Sequence, residues 1–584
     1  MSDQKKLSAV EKVKAESRGL RGALAEELAA PGPSVSEESY QLLKFHGTYE
    51  QHDRDTATLR KQQGQEKDYQ FMVRVRMPGG VLSGPQYLVL DALADRYGNG
   101  TLRVTTRGGI QFHGVIKRDL KATIREINRA LLTTQCACGD VVRNVTTTPA
   151  PRRDARHRRL LEDARLLSER LLPASRAYHE IFLDEAAQAA LGQATEPEPE
   201  PLYGPTYLPR KFKIGLALPE DNTIDVLTND LAFIGLTDGG LREDGLTDGG
   251  LRGGETLTAY IVAVGGGLGM THNKPDTYPR LATPITVIPA EDLLSMAEAV
   301  IKVQRDFGDR GDRRHARLKY LLDRQGIGWF RDTLAQYWGR PLAPPPPLPR
   351  LELPEILGWH AQGDGRFWYG VPVPAGRIQD TEEVRLRSAL RAIVAEFGAD
   401  PVMTPQQDVL LSNLPEEARE PVEALLRAHG VRLARDLTPL ARFALACPAL
   451  PTCGLALTEA ERIRAPLVAA FEAMLAAEGL EGLPLILRLT GCPNGCARPY
   501  NAEIGIVGRM PGHYAVFVGG DRAGTRLGFK LFDKVAEADL IPRLTPLFRA
   551  YRTRRAAGEG FGGFCARLGP EALLALAEEV SAAA

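Results

Sequence analysis

Hydrophobic and polar residues alternate with the two-residue period of β-strands in two separate parts of the chain. In the first part, strand-like segments at 71–77 and 101–115 enclose a helix-like segment. In the second part, strand-like segments at 367–374 and 402–412 enclose another helix-like segment. The pattern therefore predicts two strand-helix-strand units of the same layout.

The sequences around the later strand of each unit are also similar to each other. TLRVTTRGGIQFHGV at 101–115 and DPVMTPQQDVLLSNL at 400–414 both follow a predicted helix and place Thr and Gln at matching offsets. Similarity of this kind favours an internal duplication. We therefore expect an α+β fold with pseudo-twofold symmetry.

The segments outside these units predict an arm, surface loops and a linker. Residues 1–70 form a predicted N-terminal arm, with helical periodicity at 10–28. The run TEPEPEP at 195–201 and the tandem ten-residue repeat at 235–254 indicate solvated surface loops. The proline-rich segment at 341–349 indicates a stiff linker at a domain boundary.

Length and charge restrict the class of protein. At 584 residues the chain can form about three or four domains with a large buried core. Lys and Arg number 73, as do Asp and Glu, which argues against a nucleic-acid coat or a polybasic membrane anchor. The sequence after Met1 is charged, unlike a secretory signal, and no apolar run reaches the roughly 18 residues of a membrane span. We expect a cytoplasmic protein that binds neither nucleic acid nor a membrane.

Four of the seven cysteines form two pairs in the last third of the chain. Cys447 and Cys453 enclose five residues, and Cys492 and Cys496 enclose three. Because the cysteines are sparse and odd in number, a disulfide framework is not expected. Pro- and Gly-containing loops around paired cysteines are typical of iron-sulfur cluster ligands. The alternatives are structural zinc, which usually takes two-residue spacings within each pair, and buried inert thiols.

The motif TGCPNGCARPYNAEIGIVG, which contains the second cysteine pair, resembles the signature of the sulfite and nitrite reductase haemoproteins. Further segments resemble the same family in the same order, among them KFHGTYEQHDRD, FMVRVRMPGG, CGDVVRNV, YLPRKFKIG, VGGGLGMTHN and ACPALPTC. The resemblance implies a 4Fe-4S cluster on Cys447, Cys453, Cys492 and Cys496. It also implies sirohaem, with Cys496 as the thiolate shared between the cluster and the haem iron.

The resemblance further implies a cationic site for an oxyanion substrate. Its residues, matched motif by motif, are Arg74, Arg143, Lys211 and Lys213. Arg and Lys suit this role because they donate charge-assisted hydrogen bonds, and a Lys can relay protons. The sequence itself supports one part: Lys211 and Lys213 are two apart in an apparent strand and should share a face. Taken alone, such a pair is also typical of the solvated face of an edge strand.

Sirohaem is a polycarboxylate, so its pocket needs further cations and hydrogen-bond donors. The candidates that the resemblance gives are Arg76, Arg107, Gln111, His113, His272, Arg280, Thr404, Gln406, Gln407, Asn494 and Arg498. Two positions depart from the family pattern: Gly108 replaces a Gln, and Asp408 replaces an Asn. Because a carboxylate repels a polyanion, we expect Asp408 to face away from the cofactor or to bind it through a neighbouring base.

The resemblance implies a three-domain sirohaem and 4Fe-4S reductase fold with ferredoxin-like half-domains. The expected division is an arm at 1–70, half-domains at 71–135 and 345–433, a sirohaem and substrate domain at 136–344, and a cluster domain at 434–584.

The implied activity is assimilatory reduction of sulfite to hydrogen sulfide. Lys213 favours sulfite, because the resembling nitrite reductases typically have Asn at this position. No nucleotide or flavin motif is present, so electrons should come from another protein. We expect ferredoxin, on the likeness of LGWHAQGDG and the C-terminal half to the ferredoxin-dependent type, with docking at the basic segments 152–159 and 313–319. Ferredoxin-dependent nitrite reductase, the haemoprotein subunit of an NADPH-dependent flavoprotein complex, and a non-catalytic electron carrier are the alternatives.

Overall fold

The computed structural model describes residues 6–183, 200–237 and 256–579. Most of the TEPEPEP run and of the tandem repeat, which the sequence predicts to be surface loops, lies outside the described residues.

Helices occur throughout the described part of the chain. They are α1 (Ala9–Glu16), α2 (Leu24–Ala29), α3 (Glu37–Leu43), α4 (Ala57–Gln62), α5 (Gly84–Tyr97), α6 (Lys117–Arg129), α7 (Ala155–Arg170), α8 (Ala177–Phe182), α9 (Leu293–Phe307), α10 (Leu318–Gln325), α11 (Ile327–Trp338), α12 (Leu386–Phe397), α13 (Arg419–Ala428), α14 (Pro439–Phe443), α15 (Glu461–Ala477), α16 (Leu540–Arg554) and α17 (Phe561–Glu579). Helix α17 is interrupted at Gly569, whose φ is 77°.

The strands form four sheets. In chain order they are β1 (Thr48–His52), β2 (Tyr69–Arg74), β3 (Leu102–Val104), β4 (Ile110–Val115), β5 (Thr146–Thr147), β6 (Ile214–Ala217), β7 (Leu231–Thr237), β8 (Leu257–Val264), β9 (Thr283–Pro289), β10 (Gly358–Ala361), β11 (Phe367–Val371), β12 (Arg377–Ile378), β13 (Asp400–Met403), β14 (Val409–Leu414), β15 (Leu445–Ala446), β16 (Leu487–Thr490), β17 (Ile504–Met510), β18 (His513–Val518) and β19 (Phe529–Ala536). Sheet I has the order β1-β2-β4-β3-β12, and sheet II has the order β10-β11-β14-β13. Sheet III is β5-β6-β7-β8-β9, and sheet IV is β15-β16-β17-β18-β19.

Sheets I and II repeat one topology and exchange a strand. β12, from the second half of the chain, pairs with β3 of sheet I, and Val81, from the first half, bridges Val402 of sheet II. The glycines at the two crossings are equivalent. A Cβ on Gly80 would lie 2.1 Å from the Met403 carbonyl oxygen, and one on Gly376 would lie 2.3 Å from that of Val104. The exchange therefore needs glycine at both crossings and joins the two units into one body.

The two similar sequence segments form the same turn in sheets I and II. The Gly109 amide donates to the Thr105 side chain at 3.1 Å, and the Asp408 amide donates to the Thr404 side chain at 3.0 Å. The threonines therefore correspond, as the sequence predicts. The predicted match of glutamines is wrong, because Gln111 lies in β4, past the turn, whereas Gln406 and Gln407 lie within it.

Sheets III and IV are a second repeated pair. In each, two parallel pairings are followed by two antiparallel ones. In sheet III, β6 and β7 are buried along their whole length, which is typical of strands covered on both faces. The α+β fold with pseudo-twofold duplication is thus confirmed.

The N-terminal arm differs from the expectation in two ways. The predicted helical stretch at 10–28 is split into α1 and α2, because Arg18 and Leu20 have φ angles of 51° and 74°, which a right-handed helix cannot contain. In addition, β1 pairs with β2 and so belongs to sheet I. No helix in the described ranges is long and apolar enough to cross a membrane.

Candidate functional site

The four paired cysteines lie on loops that leave neighbouring parallel strands. Cys447 follows β15 and Cys492 lies two residues beyond β16, and these two strands pair in parallel. The Cys447 amide donates to the Leu489 carbonyl at 3.1 Å. Since parallel neighbours end at the same edge of a sheet, both cysteines lie at one edge of sheet IV.

The four sulfur atoms are close enough to affect each other's charge. Burial, and after it the Cys496 thiolate, raises the pKa of Cys492 to about 12. The same two causes raise the pKa values of Cys447 and Cys453. Two N–H donors point at sulfur: the Gly491 amide lies 3.3 Å from Cys447 Sγ, and Asn494 Nδ2 lies 3.6 Å from Cys492 Sγ.

This arrangement fits an iron-sulfur cluster. Converging thiols raise one another's pKa and so favour a bound cation that stabilises the thiolates. N–H donors to sulfur are the usual surroundings of such clusters. Among the described residues, no group of three or more His, Cys, Asp or Glu side chains has the spacing to hold one metal ion, whereas a four-iron core requires its ligands to be farther apart.

Cys496 differs from the other three ligand candidates in its exposure. It is exposed, while the residues from Gly491 to Val507 around it are buried except for the partly buried Asn494. The Thr106 hydroxyl donates to the Cys496 carbonyl at 2.9 Å. The Cys496 thiol therefore faces open space beside the turn that follows β3.

Lys211 and Lys213 form the centre of a group of cations next to Cys496. We call these lysines, together with Arg74, Arg107 and Arg143, the cation group. The alternation predicted from sequence is observed: Phe212 between them is buried, and both lysines are partly exposed. Burial, and next the charge of Arg143, lowers the pKa of Lys211 to about 7, while the Cys496 thiolate acts in the opposite direction. Burial and then the Lys211 charge lower the pKa of Lys213 well below its ordinary range.

These lysines carry charge that the described residues do not neutralise. Within the described ranges, neither ammonium group forms an ion pair or a side-chain hydrogen bond. Like charges that lower each other's pKa are stabilised by a bound anion. The group therefore fits a polyanionic cofactor, an anionic substrate, or both.

Arg107 and Arg143 border the lysines. Arg107 Nη1 donates to Asn229 Oδ1 at 2.8 Å, but its Nε is buried without a hydrogen bond. Burial, and then the charge of Arg143, lowers the pKa of Arg107 to about 9. Arg143 Nε donates to the Gly139 carbonyl at 3.1 Å. Arg107 Nη2 also donates to the Asn144 and Ile214 carbonyls, so Arg107 keeps fewer N–H groups for an anion than Arg143 does.

Arg74 and Gln111 contact each other on adjacent strands of sheet I. With the Gln111 amide oxygen directed to Arg74, it accepts from Nη2 at 2.6 Å. Arg74 Nη1 also donates to Cys138 Sγ at 3.2 Å. The Tyr49 hydroxyl accepts from Arg143 Nη2 at 3.4 Å, and the Arg74 guanidinium lies 6.0 Å from the Tyr49 ring, so both arginines lie next to this tyrosine.

His113 is a buried ring with no hydrogen bond on either nitrogen. Burial, followed by the charge of Arg377 and Arg103, lowers its pKa well below the ordinary range. A buried polar ring without partners is costly. A cofactor carboxylate or water would satisfy it, which fits the predicted contact.

Thr404, Gln406 and Gln407 make contacts within the protein. The Gln406 side chain donates to the Thr223 carbonyl at 2.8 Å, and that of Gln407 donates to the Ala446 carbonyl at 2.9 Å. Gln407 thereby fixes the residue before Cys447. Asp408 accepts from the Val373 amide at 3.0 Å and lies buried away from the cation group, in agreement with the expectation that it faces elsewhere.

Arg498 connects the second cysteine pair to both halves of the duplicated body. Its Nη1 donates to the Thr106 carbonyl and its Nη2 to the Pro405 carbonyl, both at 3.0 Å. Thr106 and Pro405 are equivalent positions in the two turns. Arg498 therefore holds the Cys496 loop against both half-domains.

Two of the predicted cofactor residues, Arg76 and Arg280, use their donors within the protein. Arg76 is buried and donates to the Ser168 hydroxyl at 3.0 Å and to the Val142 carbonyl at 3.0 Å. Arg280 donates to Asp323 at 2.9 Å and to backbone carbonyls. Because their donors are used within the protein, the geometry favours structural roles for both over the predicted cofactor contacts. His272 keeps a buried Nδ1 without a hydrogen bond among the described residues.

The structure adds residues that the sequence interpretation missed. They are Arg103, Arg210, Arg317 and Arg377, together with Tyr49. Arg210 directly precedes the lysine pair, which was a signal in the sequence. Arg317 lies in a segment expected to be a surface docking patch; instead it is buried and pairs with Asp230 at 2.8 Å.

Several charges of the two basic segments are used in ion pairs within the protein. In the first, Arg156 pairs with Glu220 at 2.9 Å and Arg159 with Asp163 at 2.9 Å. In the second, Arg313 pairs with Asp140 at 2.8 Å, and Lys319 is buried. Arg152 and Arg158 of the first segment are exposed and form no ion pair among the described residues, so docking at that segment stays a prediction.

Comparisons with known proteins agree with the site. A family model described as "Nitrite and sulphite reductase 4Fe-4S domain" matches residues 162–342, and one described as "Nitrite/Sulfite reductase ferredoxin-like half domain" matches 62–130 and 360–429. Residues 162–342 contain strands β6 to β9 of sheet III and no cysteine; the four paired cysteines lie with the equivalent sheet IV.

Whole-length relatives are sulfite reductases of two kinds. "Sulfite reductase [ferredoxin]" of Synechococcus elongatus is 43% identical, over 98% of this chain and 91% of its own. "Sulfite reductase [NADPH] hemoprotein beta-component" of Myxococcus xanthus is 44% identical, over 97% of this chain and 98% of its own. The protein of the same name from Xylella fastidiosa is 45% identical, over 97% of each chain. The solved NirA protein of Mycobacterium tuberculosis has the same fold, with a TM-score of 0.75, 24% identity and 97% coverage of both chains.

Proposed function

Because the chain belongs to the nitrite and sulfite reductase family, oxidoreductases that contain sirohaem and a 4Fe-4S cluster, we propose that it reduces sulfite to hydrogen sulfide with electrons from reduced ferredoxin. We also propose that this is an assimilatory reaction and that it takes place in the cytoplasm. The observation that supports the activity is the pair Lys211 and Lys213, whose charges are not neutralised, beside the exposed Cys496.

The residues present can hold both cofactors. Cys447, Cys453, Cys492 and Cys496 would bind the cluster, and the last would also be the ligand that faces the haem. Arg107 and His113 would contact haem carboxylates with nitrogen atoms that have no hydrogen bond within the protein, and the Gln111 side chain beside Arg74 would contact the same cofactor. When bound, the two cofactors supply the electrons and an iron atom for the sulfur of the substrate.

The side chains of the cation group bind the oxyanion and move protons. Arg143 and Arg74 donate charge-assisted hydrogen bonds that orient the sulfite oxygens. Lys211 has a pKa of about 7, so near neutral pH it can give up a proton and be protonated again. Each oxygen that leaves must accept protons to depart as water. Lys211 and Lys213 would therefore be the proton donors, and Arg107 would keep the local charge positive.

Sulfite is favoured over nitrite because of the number of cations. Sulfite can bind as a dianion, because it loses its last proton near neutral pH, whereas nitrite carries one negative charge. Lys213 adds a positive charge at a position where the resembling nitrite reductases typically have Asn. A site with both lysines therefore gains more from the dianion.

The choice of ferredoxin as the electron donor is a separate part of the proposal. Relatives of similar identity bear both donor names, ferredoxin and NADPH. Support for ferredoxin comes from the likeness of LGWHAQGDG and the C-terminal half to the ferredoxin-dependent type. The NADPH-dependent flavoprotein subunit is the competing donor.

A single set of assays tests both parts. The purified protein with its cofactors would be supplied with sulfite or nitrite, and with reduced ferredoxin or with NADPH plus the flavoprotein subunit. We expect a higher kcat/KM for sulfite in either system, and faster turnover with ferredoxin. A strong preference for nitrite would contradict sulfite as the proposed substrate. Turnover with NADPH plus the flavoprotein subunit, but not with ferredoxin, would show that the flavoprotein is the donor.

A further inference from the structure

The loop that leads into the lysine pair is held by cations through three successive carbonyls. Arg310 Nη2 donates to the Tyr207 carbonyl at 2.7 Å, Lys14 Nζ to that of Leu208 at 2.8 Å, and Arg313 Nη1 to that of Pro209 at 3.4 Å. Tyr207 has a φ of 57°, which a non-glycine residue adopts only when its surroundings impose it. The shape of this loop is therefore imposed from outside.

Lys14 comes from helix α1, far away in sequence, and is almost completely buried. Its exposure is 1%, that of Glu11 is 2% and that of Asp140 is 5%. Lys14 pairs with Glu11 and lies 3.7 Å from Asp140 Oδ2. We call Glu11, Lys14, Asp140, Arg310 and Arg313 the anchor cluster.

The anchor cluster contacts both segments that bear the substrate cations. Asp140 is three residues before Arg143, and Leu208 is three residues before Lys211. Lys14 is bound to both, through the Asp140 carboxylate and the Leu208 carbonyl. The backbone adds a direct link, because the Leu208 amide donates to the Asp140 carbonyl at 3.0 Å.

Simple attachment of α1 does not require a buried lysine. An apolar side chain of similar size would fix a helix to the body at lower cost, since desolvating an ion pair often cancels its Coulomb energy. What the ionic contacts add is a link between two loops: Nζ donates to Glu11 and to the Leu208 carbonyl, and its charge lies 3.7 Å from the Asp140 carboxylate. Lys14 thus differs from an apolar residue in that it contacts both loops and fixes their relative position.

We propose that Lys14 is a positioning residue for the oxyanion site, holding the Arg143 segment and the Lys211–Lys213 segment at the separation that an anion requires. This inference rests on the proposed function, in that sulfite is the anion. The cations converge on one small ligand, so a shift of about 1 Å in either segment weakens the charge-assisted contacts. α1 is then part of the substrate site although it contacts no substrate.

The test is the variant Lys14→Met, with Lys12→Met as its matched control. Lys12 lies on the same helix, but its side chain is 75% exposed. The dissociation constant of sulfite would be measured from the change in haem absorption, and that of carbon monoxide, a neutral haem ligand, on the same samples. We expect K14M to weaken sulfite binding about tenfold or more, equal to about 1.4 kcal/mol, with carbon monoxide binding unchanged. K12M should bind both as the wild type does.

A second variant, Asp140→Asn, keeps the side-chain size and the backbone bond to Leu208, and covers the case in which K14M does not fold. It should weaken sulfite binding in the same selective way. Unchanged sulfite binding in either folded variant overturns the inference, as does equal weakening of sulfite and carbon monoxide, which would assign the cluster to general stability. Failure of the proposed function would be recognised separately, because the wild type itself would then not reduce sulfite.

Discussion

Asp225 and Arg498 occupy equivalent positions in the two duplicated sheets and form an ion pair with each other. Each precedes the short 3-10 helix that leads into the third parallel strand, β7 or β17. Both have left-handed backbone angles, φ 49° and ψ 60° for Asp225 and φ 58° and ψ 50° for Arg498. Asp225 Oδ2 lies 2.5 Å from Arg498 Nε. The pair therefore joins the two halves at the pseudo-twofold axis, two residues from Cys496.

Removing the Asp225 charge should reduce cofactor retention. In Asp225→Asn, the buried Arg488 and Arg498 lose the carboxylate that they share at 2.8 and 2.5 Å. Breaking a buried pair costs about 3–5 kcal/mol. We expect a lower melting temperature, and less iron and haem per chain, measured by iron analysis and absorbance.

Asp533→Asn is the control for this variant. Asp533 is 53% exposed and lies 3.4 Å from Arg509, and surface pairs contribute about 0–1 kcal/mol. Its cofactor content should equal that of the wild type. If D225N matches D533N in both measurements, the ion pair does not hold the Cys496 loop.

Lys213→Asn should shift the preference between the two anions. A hydrogen bond to a charged group contributes about 1.5–3 kcal/mol, so kcat/KM for sulfite should fall about 10- to 100-fold. Nitrite should lose less, because it carries less charge. Parallel steady-state assays give the sulfite-to-nitrite ratio, with the exposed Lys274→Asn as a control for the loss of one charge. An unchanged sulfite-to-nitrite ratio would show that Lys213 does not determine the specificity.

Asp408 should give the folding stability a pH dependence that an asparagine lacks. Burial raises the pKa of Asp408 to about 8 from an ordinary value of 3.8, although the Val373 amide and the Arg464 charge act in the opposite direction. Between these values the folded protein holds a proton that the unfolded chain has lost. Stability therefore falls as the pH rises through this window, by up to about 1.4 kcal/mol per pH unit.

Melting temperatures of the wild type and Asp408→Asn, scanned at one rate across that window, test this expectation. The asparagine can still accept from the Val373 amide. We expect D408N to lose less stability toward about pH 8 than the wild type, and the exposed Asp436→Asn to behave as the wild type. Parallel curves for all three proteins would show that Asp408 is already ionised in the fold.

Arg54 should protect the outer loop of the cluster site. Its Nη1 donates to the carbonyls of Cys453 and Gly454 at 3.2 and 3.1 Å. In Arg54→Met these carbonyls lose a charged donor, so the loop should open more often and admit oxygen. Iron and sulfide would be lost faster in air, as followed by absorbance. The nearby Arg462→Met removes only surface pairs, with Asp55 and Glu459, and should not accelerate the loss.

The chemistry of the site and its repeated units could be predicted from the sequence. Cysteine spacing indicates the cluster ligands, and the two-residue alternation around Phe212 places Lys211 and Lys213 on one face. Local patterns suffice here because strand alternation and loop spacing depend on neighbouring residues. The predictions for Arg74 and Arg143 come from the resemblance to family motifs, which are also short stretches of sequence.

Contacts between residues distant in sequence were decided only by the tertiary structure. Arg76 and Arg107 look alike in their motifs, yet the fold uses the donors of Arg76 within the protein and leaves Arg107 Nε unused. Arg317 looked like a surface charge and pairs with the buried Asp230. Burial and electrostatic coupling depend on which segments the fold brings together, so no local pattern could indicate that Asp225 meets Arg498 or that Lys14 lies behind the substrate cations.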